Sequence, residues 1–329
     1  MTSDAIRFDG VTKSFGALRA VDRLTFAVRS GEMFGLIGPD GAGKTTAIRL
    51  ACGLLAPDAG AVSVLGHSPT AAHRAVTAAV GYLSQRFSLY GDLTIDENIA
   101  FFAEIHGVRS YRPARDRLLA MTQLAPFRHR RADRLSGGMK QKLALACTLI
   151  HEPRILLLDE PTTGVDPVSR REFWKLLSEF LSQGLTIVMA TPYLDEAERC
   201  ARVALLQDGS LLALDVPAAL QSRLRGSLFE VLAATARPPV DALAAIPGVS
   251  DVQVFGDRAH VRFTGEDPDR ATREITKALQ AVNIEALVVR PIPASLEDVF
   301  IDLIHARDAR HAAPPQARAS VSGGGAHAR

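Results

Sequence analysis

The sequence has little of several features that would place it in a specialised class of protein. Its three cysteines are odd in number, far apart and without metal-ligand spacing, which favours free thiols in a reducing compartment over a disulfide scaffold. The formal net charge is only +2, so nothing indicates nucleic acid as a partner. No apolar run approaches the ~20 residues that cross a bilayer, and no signal-peptide pattern opens the chain.

The remaining composition is that of an ordinary soluble globular protein. Hydrophobic residues make up 47% of the chain and charged residues 22%, which is enough apolar surface for a sizeable core. With 329 residues, the chain is long enough for two domains. Function must therefore be sought in local motifs.

The first motif is GPDGAGKT at residues 38–45, with the spacing G-x-x-x-x-G-K-[ST] of a phosphate-binding loop. A predicted strand (33–37) enters it and a predicted helix (45–52) leaves it, so successive backbone N–H groups would point at phosphate. Lys44 would reach the β- and γ-phosphates and the Thr45 hydroxyl would bind Mg²⁺. The alternative is a chance match in a glycine-rich turn. The predicted nucleotide-binding residues here are Gly38, Pro39, Asp40, Gly41, Ala42, Gly43, Lys44, Thr45 and Thr46.

Two adjacent carboxylates follow another predicted apolar strand, 155–158. Asp159 is suited to hold Mg²⁺ through its water shell. Glu160 is suited to polarise the water that attacks the γ-phosphate. The alternative is a solvated acidic turn after a core strand, which the phosphate loop elsewhere in the chain disfavours.

A second phosphate site is predicted in LSGGMKQ, residues 135–141. Ser136 is a good N-cap, and Gly137 and Gly138 expose backbone N–H groups at the start of a helix. The chain therefore carries two phosphate-binding helix starts, which need not serve the same nucleotide.

The order of predicted elements changes along the chain. Antiparallel strands within 5–28 precede a region in which apolar strands alternate with helices, which predicts a parallel sheet covered on both faces. From 228 to 289 the predicted order is βαββαβ, typical of a small ferredoxin-like domain. Other predictions are a short strand pair at 62–65 and 80–83, a helical stretch over 94–127, a last helix over 296–305 and a disordered tail.

The motifs GPDGAGKTT, LSGGMKQ, ILLLDEP and GVDP together resemble those of the ATP-binding subunits of ABC transporters, over residues 5–215. The segment PASLEDVFI, 293–301, resembles the ending of such subunits from drug-exporter-like, ABC-2-type export systems. In that family two domains stack head to tail, and each ATP lies between the phosphate loop of one and the LSGG helix of the other.

The resemblance implies an α/β fold: a P-loop NTPase core with an antiparallel β subdomain and a helical subdomain, plus a small C-terminal α+β (ferredoxin-like) domain. The expected boundaries are 1–222 for the nucleotide-binding domain, with the helical subdomain at about 94–135, then 223–306 for an accessory domain with a contact or regulatory role, and 307–329 for the tail.

The resemblance also implies roles for single residues. Phe15 would stack on adenine, Gln85 would join Mg²⁺ and the attacking water to the transporter contact, and Asp166 would link the two sites. The alternatives are a plain core residue, a solvated loop residue and a helix cap, respectively. The predicted catalytic residues are Glu160, Gln85 and Lys44, the metal ligands are Thr45, Gln85 and Asp159, and the nucleotide-binding set gains Phe15, Ser136, Gly137, Gly138 and Asp166.

The expected function is the ATP- and Mg²⁺-dependent engine of an export system, at the cytoplasmic, inner face of the cell membrane. Its expected partners are a separate transmembrane permease and a second nucleotide-binding subunit, identical or different. Phe87, Leu89 and Tyr90 would form an apolar docking surface for the permease, or alternatively cap the helical subdomain. Other functions are a soluble non-transport ABC ATPase and a weakly hydrolysing regulatory partner in an asymmetric heterodimer.

The sequence departs from the family pattern at two positions. Asp40 stands where the family usually has Asn. Pro192 stands where the family has a switch histidine that contacts the γ-phosphate, and proline cannot donate a hydrogen bond. The site built on this chain's own phosphate loop is therefore expected to hydrolyse ATP slowly, unless Thr191 or a partner subunit compensates.

Overall fold

A computed structural model of the chain describes residues 4–85, 89–234, 237–265 and 267–312. The chain divides after Pro217 into two compact units, slightly before the boundary expected at 222. In chain order the elements up to that point are β1 (Asp4–Phe15), β2 (Leu18–Arg29), β3 (Met33–Ile37), α1 (Lys44–Ala51), β4 (Ala59–Val64), α2 (His73–Ala79), β5 (Val80–Leu83), α3 (Ile95–Ile105), α4 (Arg112–Met121), α5 (Gly137–Leu149), β6 (Ile155–Asp159), α6 (Pro167–Ser182), β7 (Thr186–Thr191), α7 (Leu194–Ala197), β8 (Arg202–Gln207) and β9 (Ser210–Asp215).

The first unit contains two sheets. A three-stranded antiparallel sheet has the order β2-β1-β4, and a six-stranded sheet has the order β5-β6-β7-β3-β8-β9. The six-stranded sheet is parallel except for the β8–β9 hairpin at its edge. Every residue of β3, β6 and β7 is buried, because helices cover both faces of the parallel part. The predicted α/β core with an antiparallel β subdomain is confirmed.

The predicted strand pair at 62–65 and 80–83 is wrong as a pair. The first strand, β4, joins β1 in the antiparallel sheet, whereas the second, β5, lies parallel to β6 in the other sheet. The helix α2 lies between them in the chain. A short apolar run indicates that a strand is buried, but it does not say which strand becomes its neighbour.

The predicted helical stretch over 94–127 consists of two helices, α3 and α4, and a short 3₁₀ turn, Ala125–Phe127. Thr94 begins α3 with a capping box, in which its hydroxyl accepts from the Glu97 N–H at 3.2 Å and Glu97 accepts from the Thr94 N–H at 2.8 Å. Gly107, with φ of 69°, follows the end of α3 in a left-handed conformation that stops the helix.

The edge of the large sheet where the parallel strands end positions the chemistry. Ile37 pairs with Thr191, and Asp159 pairs with Ala190, so β3, β6 and β7 end side by side. The phosphate loop, the two carboxylates and the segment of Pro192 each follow one of these strands. Residues far apart in sequence are thereby brought to one edge, as in other open α/β sheets that bind ligands.

The second unit begins at Ala218, within the helix α8 (Pro217–Gln221). Its further elements are β10 (Ser227–Ala233), α9 (Val240–Ala244), β11 (Val249–Phe255), β12 (Arg258–Phe263), α10 (Pro268–Ala281), β13 (Ala286–Ile292) and α11 (Leu296–Ala312). Its antiparallel sheet has the order β11-β12-β10-β13. The βαββαβ order with this sheet confirms the predicted ferredoxin-like domain.

The last helix is longer than expected. The sequence predicts its end near 305 and a tail from 307, but α11 continues through Ala312. The added residues include Ala, Arg and Asp and no glycine or proline, so nothing in them stops a helix before Pro314. The remainder of the predicted tail, 313–329, lies outside the described residues.

A pair of stacked histidines joins α3 to the segment after α5. The rings of His106 and His151 lie 3.8 Å apart and 3° from parallel. His151 Nε2 donates to the Val80 carbonyl oxygen at 3.3 Å, and its Nδ1 is buried without a hydrogen-bond partner. Burial, and next the charge that His106 would carry, lower the pKa of His151 to about 4.

Because of the stacked histidines, we expect the protein to become less stable to unfolding in mild acid. Because the folded pKa of His151 lies below the value of about 6.5 in an unfolded chain, the unfolded state takes up the proton first as pH falls. The stability contribution is therefore complete above pH ~6.5, and at most about 2 kcal/mol of it is lost by pH ~5, since solvent screening at this half-buried site reduces the effect. Thermal unfolding between these pH values should show a smaller acid shift for His151→Gln than for wild type or for the exposed-site control His129→Gln. Equal acid shifts in all three proteins would contradict the prediction.

Candidate nucleotide-binding site

The phosphate loop connects β3 to α1, and two of its glycines are required by close backbone contacts. A Cβ on Gly38 would lie 2.2 Å from the Leu206 carbonyl oxygen, and one on Gly43 would lie 2.4 Å from that of Ala20. Gly43 also has φ of 96° as the N-cap of α1. The helix begins at Lys44, one residue earlier than predicted, so the loop presents the N–H groups of a helix start.

Lys44 is buried inside this loop. Its ammonium group donates to the carbonyl oxygens of Gly38 at 2.8 Å and Pro39 at 3.0 Å, and it lies 3.6 Å from Glu160 Oε1. A buried cation beside a helix N-terminus favours an anionic ligand. Asp40 is exposed, so the carboxylate that replaces the usual amide does not displace Lys44 from the loop.

Asp159 is held by two hydroxyl groups at the end of β6. Thr45 Oγ1 donates to Asp159 Oδ1 at 2.9 Å, and the Tyr82 phenol donates to Oδ2 at 3.4 Å. Asp159 is 1% exposed, and its burial raises its pKa, although the hydrogen bonds from Thr45 and Tyr82 and the charges of Arg49 and Lys44 oppose this rise. Tyr82 was not predicted as a site residue.

The paired oxygens of Thr45 and Asp159 are hard donors, as Mg²⁺ prefers. The part of the chain that the structure describes has no cluster of three or more His, Cys, Asp or Glu able to hold a metal ion. The pair formed by the Thr45 hydroxyl and the Asp159 carboxylate fits Mg²⁺, which commonly takes one or two protein ligands and completes its shell with phosphate oxygens and water.

Glu160 follows Asp159 in a left-handed conformation, with φ of 50°. Its N–H donates to the Ala190 carbonyl oxygen at 2.9 Å, and its Oε2 accepts from Gln85 Nε2 at 3.0 Å. This conformation costs a non-glycine residue about 1 kcal/mol or more, so the surrounding hydrogen bonds must hold it in place. Glu160 and Gln85, which the sequence predicts separately as catalytic residues, are thus in direct contact.

A cavity of about 400 Å³ brings most of the predicted residues together. This volume is within the range of small-ligand sites. Phe15 is 49% exposed at this cavity and Lys13 Nζ lies 5.9 Å from its ring centre, so Phe15 is not a core residue. The lining residues are Phe15, Leu18, Ala20, Asp40, Gly41, Ala42, Gly43, Lys44, Thr45, Thr46, Gln85 and Glu160.

The second predicted phosphate site lies outside this cavity. Ser136 caps α5, accepting from the Met139 N–H at 3.3 Å, with Gly137 exposed beside it. A Cβ on Gly138 would lie 2.2 Å from Ser169 Oγ of α6, so α5 and α6 start close together.

Asp166 lies at the start of α6. It caps that helix by accepting the N–H groups of Val168 at 3.1 Å and Ser169 at 3.0 Å. Hydrogen bonding from Ser169 lowers the pKa of Asp166. The structure therefore gives Asp166 the capping role that was its alternative, next to the second predicted phosphate site.

Thr191, the last residue of β7, and Pro192 after it do not replace the expected histidine. Thr191 is buried, and its hydroxyl donates to Glu196 Oε2 at 2.7 Å. Neither Thr191 nor the half-buried Pro192 lines the cavity. Compensation by Thr191 is therefore unsupported by its contacts.

Of the predicted docking surface, Phe87 lies outside the described residues. Tyr90 is 46% exposed and packs edge-on against Phe101, with ring centres 4.5 Å apart. The buried Asn98 amide donates to the carbonyl oxygens of Tyr90 and Leu93 at 3.0 and 3.2 Å, which fixes this loop on α3. Tyr90 and the half-buried Leu89 are therefore partly open to solvent, as a docking surface requires. Tyr90 also packs on the helical region, as the alternative role requires.

The chain is similar to known proteins. The family model described as ABC transporter matches residues 21–163. The chain is 40% identical over 310 residues to the probable multidrug ABC transporter ATP-binding protein YbhF of Escherichia coli (strain K12), covering 92% of this chain and 53% of that protein. It is 36% identical over 307 residues to the Nod factor export ATP-binding protein I of Paraburkholderia xenovorans (strain LB400), covering 92% of this chain and 98% of that protein.

A solved structure shares the fold. The dimeric post-hydrolysis state of the ATP-binding cassette MJ0796, bound to ADP and Pi, superposes with a TM-score of 0.57 at 25% identity, covering 64% of this chain and 98% of that chain. The present chain spans about half the length of the Escherichia coli relative.

The chain belongs to the ATP-binding proteins of ABC transporters. The family and fold class predicted from the motifs are confirmed, with the α/β cassette and the ferredoxin-like unit both present. Within the described ranges, no helix is both long and apolar enough to cross a membrane.

Proposed function

We propose that the chain binds and hydrolyses ATP, with Mg²⁺, to drive a separate membrane-spanning permease in an export system. The observation that carries this proposal is that Lys44, Thr45, Gln85 and Glu160 all line one cavity. It combines a buried cation, a hydroxyl beside a buried carboxylate and an acid–amide pair. These are the parts that phosphoryl transfer to water requires.

Each group has a distinct task in this proposal. Lys44 binds the β- and γ-phosphates, and Thr45 and Asp159 hold Mg²⁺, which when bound neutralises phosphate charge. Glu160 polarises the attacking water, and Gln85, which donates to Glu160, orients the carboxylate and contributes to the metal's shell. Phe15 stacks on the adenine ring.

The second phosphate site requires another subunit. Because Ser136, Gly137 and Gly138 do not line the cavity, we propose that they bind the γ-phosphate of an ATP held by the phosphate loop of a second nucleotide-binding chain. Asp166, beside this helix start, would then lie near the junction of the two sites. The related cassette that is dimeric with ADP and Pi supports this arrangement.

Closure of the two chains on ATP, and reopening after hydrolysis, would move the permease through its different contacts with the two states. Tyr90 and Leu89, on the loop fixed by Asn98, are proposed to contact the permease. In this proposal the chain lies at the cytoplasmic face of the cell membrane. Drug export is suggested by the multidrug relative and Nod factor export by the other, and the cargo itself is set mainly by the permease.

A weakly hydrolysing regulatory subunit is a second candidate, favoured by one observation. Pro192 has no donor to offer, and the neighbouring Thr191 hydroxyl is engaged with Glu196. In a heterodimer with a fully equipped chain, only one of the two sites would lack the histidine. The Ser136 helix start of this chain would then complete the site of its partner.

Isolation of the chain from its native membrane tests the transport role. We expect the full chain to remain with an integral membrane protein through detergent extraction and two chromatographic steps, and the complex to hydrolyse ATP. Treatment with nuclease should leave the complex intact. Association with ribosomes or nucleic acid that nuclease abolishes, without a membrane protein, would contradict the proposal and favour a soluble ABC ATPase.

A further inference from the structure

Glu196 is a carboxylate buried outside the nucleotide cavity. It lies on the short helix α7 and is 1% exposed. Its Oε1 accepts from Thr162 Oγ1 at 2.5 Å, and its Oε2 accepts from Thr191 Oγ1 at 2.7 Å. Arg170 Nε lies 4.0 Å from Oε1. Because a buried carboxylate is costly unless it is paired and hydrogen-bonded, these three partners explain how it is accommodated.

The two threonines belong to the two segments that flank Glu160. Thr162 follows Glu160 closely in the loop after β6, and Thr191 ends β7. The residue before Thr191 is Ala190, whose carbonyl oxygen accepts the Glu160 N–H at 2.9 Å. One carboxylate therefore joins the loop that follows the proposed catalytic acid to the strand that supports the backbone of that acid.

The same two segments have further fixed contacts. The buried Gln141 of α5 donates from Nε2 to the Pro161 carbonyl oxygen, which links the loop to the helix that begins at Ser136. On the other side, the Tyr193 N–H donates to Thr191 Oγ1 at 3.1 Å. The Arg170 guanidinium lies over the Tyr193 ring at 5.1 Å, so the turn through Pro192 is held by the same cluster.

We infer that Glu196 is a positioning residue for ATP hydrolysis, which holds the loop after Glu160 against the turn through Pro192 and so keeps the Glu160 carboxylate directed at the phosphate cavity. The inference rests on the proposed ATPase function. Glu196 does not line the cavity, so it acts through Glu160 and not on the nucleotide. A carboxylate suits this task because its two oxygens accept both threonine hydroxyls at once.

The hydroxyl groups provide a test in which the side-chain volume hardly changes. Thr191→Val removes the donor to Glu196, whereas Thr191→Ser keeps it. Thr186→Val is a matched control, since Thr186 is a buried threonine at the other end of β7 whose hydroxyl accepts from the Gly31 N–H at 2.9 Å. Thr162→Val and Thr162→Ser form a second, independent pair.

We expect kcat for ATP to fall about tenfold or more in Thr191→Val and Thr162→Val, since small misplacements of a catalytic group carry such effects. The KM and the affinity for a fluorescent ATP analogue should change less than about threefold, because Glu196 does not line the phosphate cavity. Both serine variants should restore kcat to within about threefold of wild type, and Thr186→Val should keep it.

If the wild-type chain hydrolyses ATP, three results would overturn the inference about Glu196 while leaving the proposed function intact. They are a kcat in the threonine-to-valine variants equal to that of Thr186→Val, a parallel loss of ATP affinity and kcat, and a failure of serine to restore activity. A variant that does not fold leaves the other pair to decide. A wild-type chain that binds ATP analogue but never hydrolyses ATP, with or without its permease, would contradict the proposed function and the inference with it.

Discussion

Replacing Glu160 by glutamine is expected to lower ATP turnover by about 10²- to 10³-fold, the size of a general-base contribution. The change keeps the shape of the side chain and an oxygen near Lys44, which lies 3.6 Å from Oε1 in the wild type. It removes the carboxylate charge that polarises water. ATP binding should persist, because the phosphate loop and Thr45 are unchanged.

The same variant should accumulate a dimer. If hydrolysis reopens the two chains, blocking hydrolysis leaves ATP between them, and size-exclusion chromatography in saturating Mg-ATP should show two chains per particle. Glu179→Gln, an exposed carboxylate on α6, serves as the matched control and should behave as wild type. Undiminished turnover in Glu160→Gln, or monomer alone with ATP bound, would count against the mechanism.

Replacing Pro192 by histidine is expected to raise kcat about tenfold or more, as expected for adding a donor to a phosphate whose charge grows in the transition state. Pro192 follows the end of β7, where the Thr191 hydroxyl already donates to Glu196, so neither Thr191 nor Pro192 offers a side-chain donor to the γ-phosphate. Steady-state ATPase of the purified chain measures the effect.

Pro192→Ala is the control for this second prediction, since it removes the proline ring without adding a donor. It should leave kcat near the wild-type value. Fast wild-type turnover that Pro192→His leaves unchanged would refute the idea of a slow site. It would also remove the reason to consider this chain a regulatory partner.

The parts of the site that could be predicted from sequence are those encoded within a few residues. The spacing of Lys44 and Thr45 in the phosphate loop requires one strand, one turn and one helix start, all contiguous. The Asp159–Glu160 pair after an apolar strand is equally local. The contacts of Lys44 with Glu160 and of Thr45 with Asp159 arise because the parallel strands β3 and β6 end at the same edge of the sheet.

What could not be predicted depends on contacts between distant segments. The Tyr82 phenol reaches Asp159 across 77 residues of sequence, and Thr162 reaches Glu196 across 34. Glu196 in its sequence resembles any acidic residue on a polar helix, and only folding shows that it is buried. The same limit explains why the strand pair predicted at 62–65 and 80–83 is wrong, since strand periodicity carries no information about sheet partners.

Two outcomes in the second unit illustrate the same distinction. The βαββαβ order was readable because each strand and helix has its own period of apolar residues, and that order is typical of one compact sheet arrangement. The end of α11 was not readable, because helix-compatible residues after 305 continue without a stop signal until Pro314.

The most direct test is a crystal structure of Glu160→Gln with ATP and Mg²⁺. We expect two chains in each particle, with each γ-phosphate contacted by Lys44 of one chain and by the Ser136 hydroxyl or the Gly138 N–H of the other. Each ATP held by a single chain, with Ser136 on an unpaired surface away from any phosphate, would contradict the shared-site mechanism.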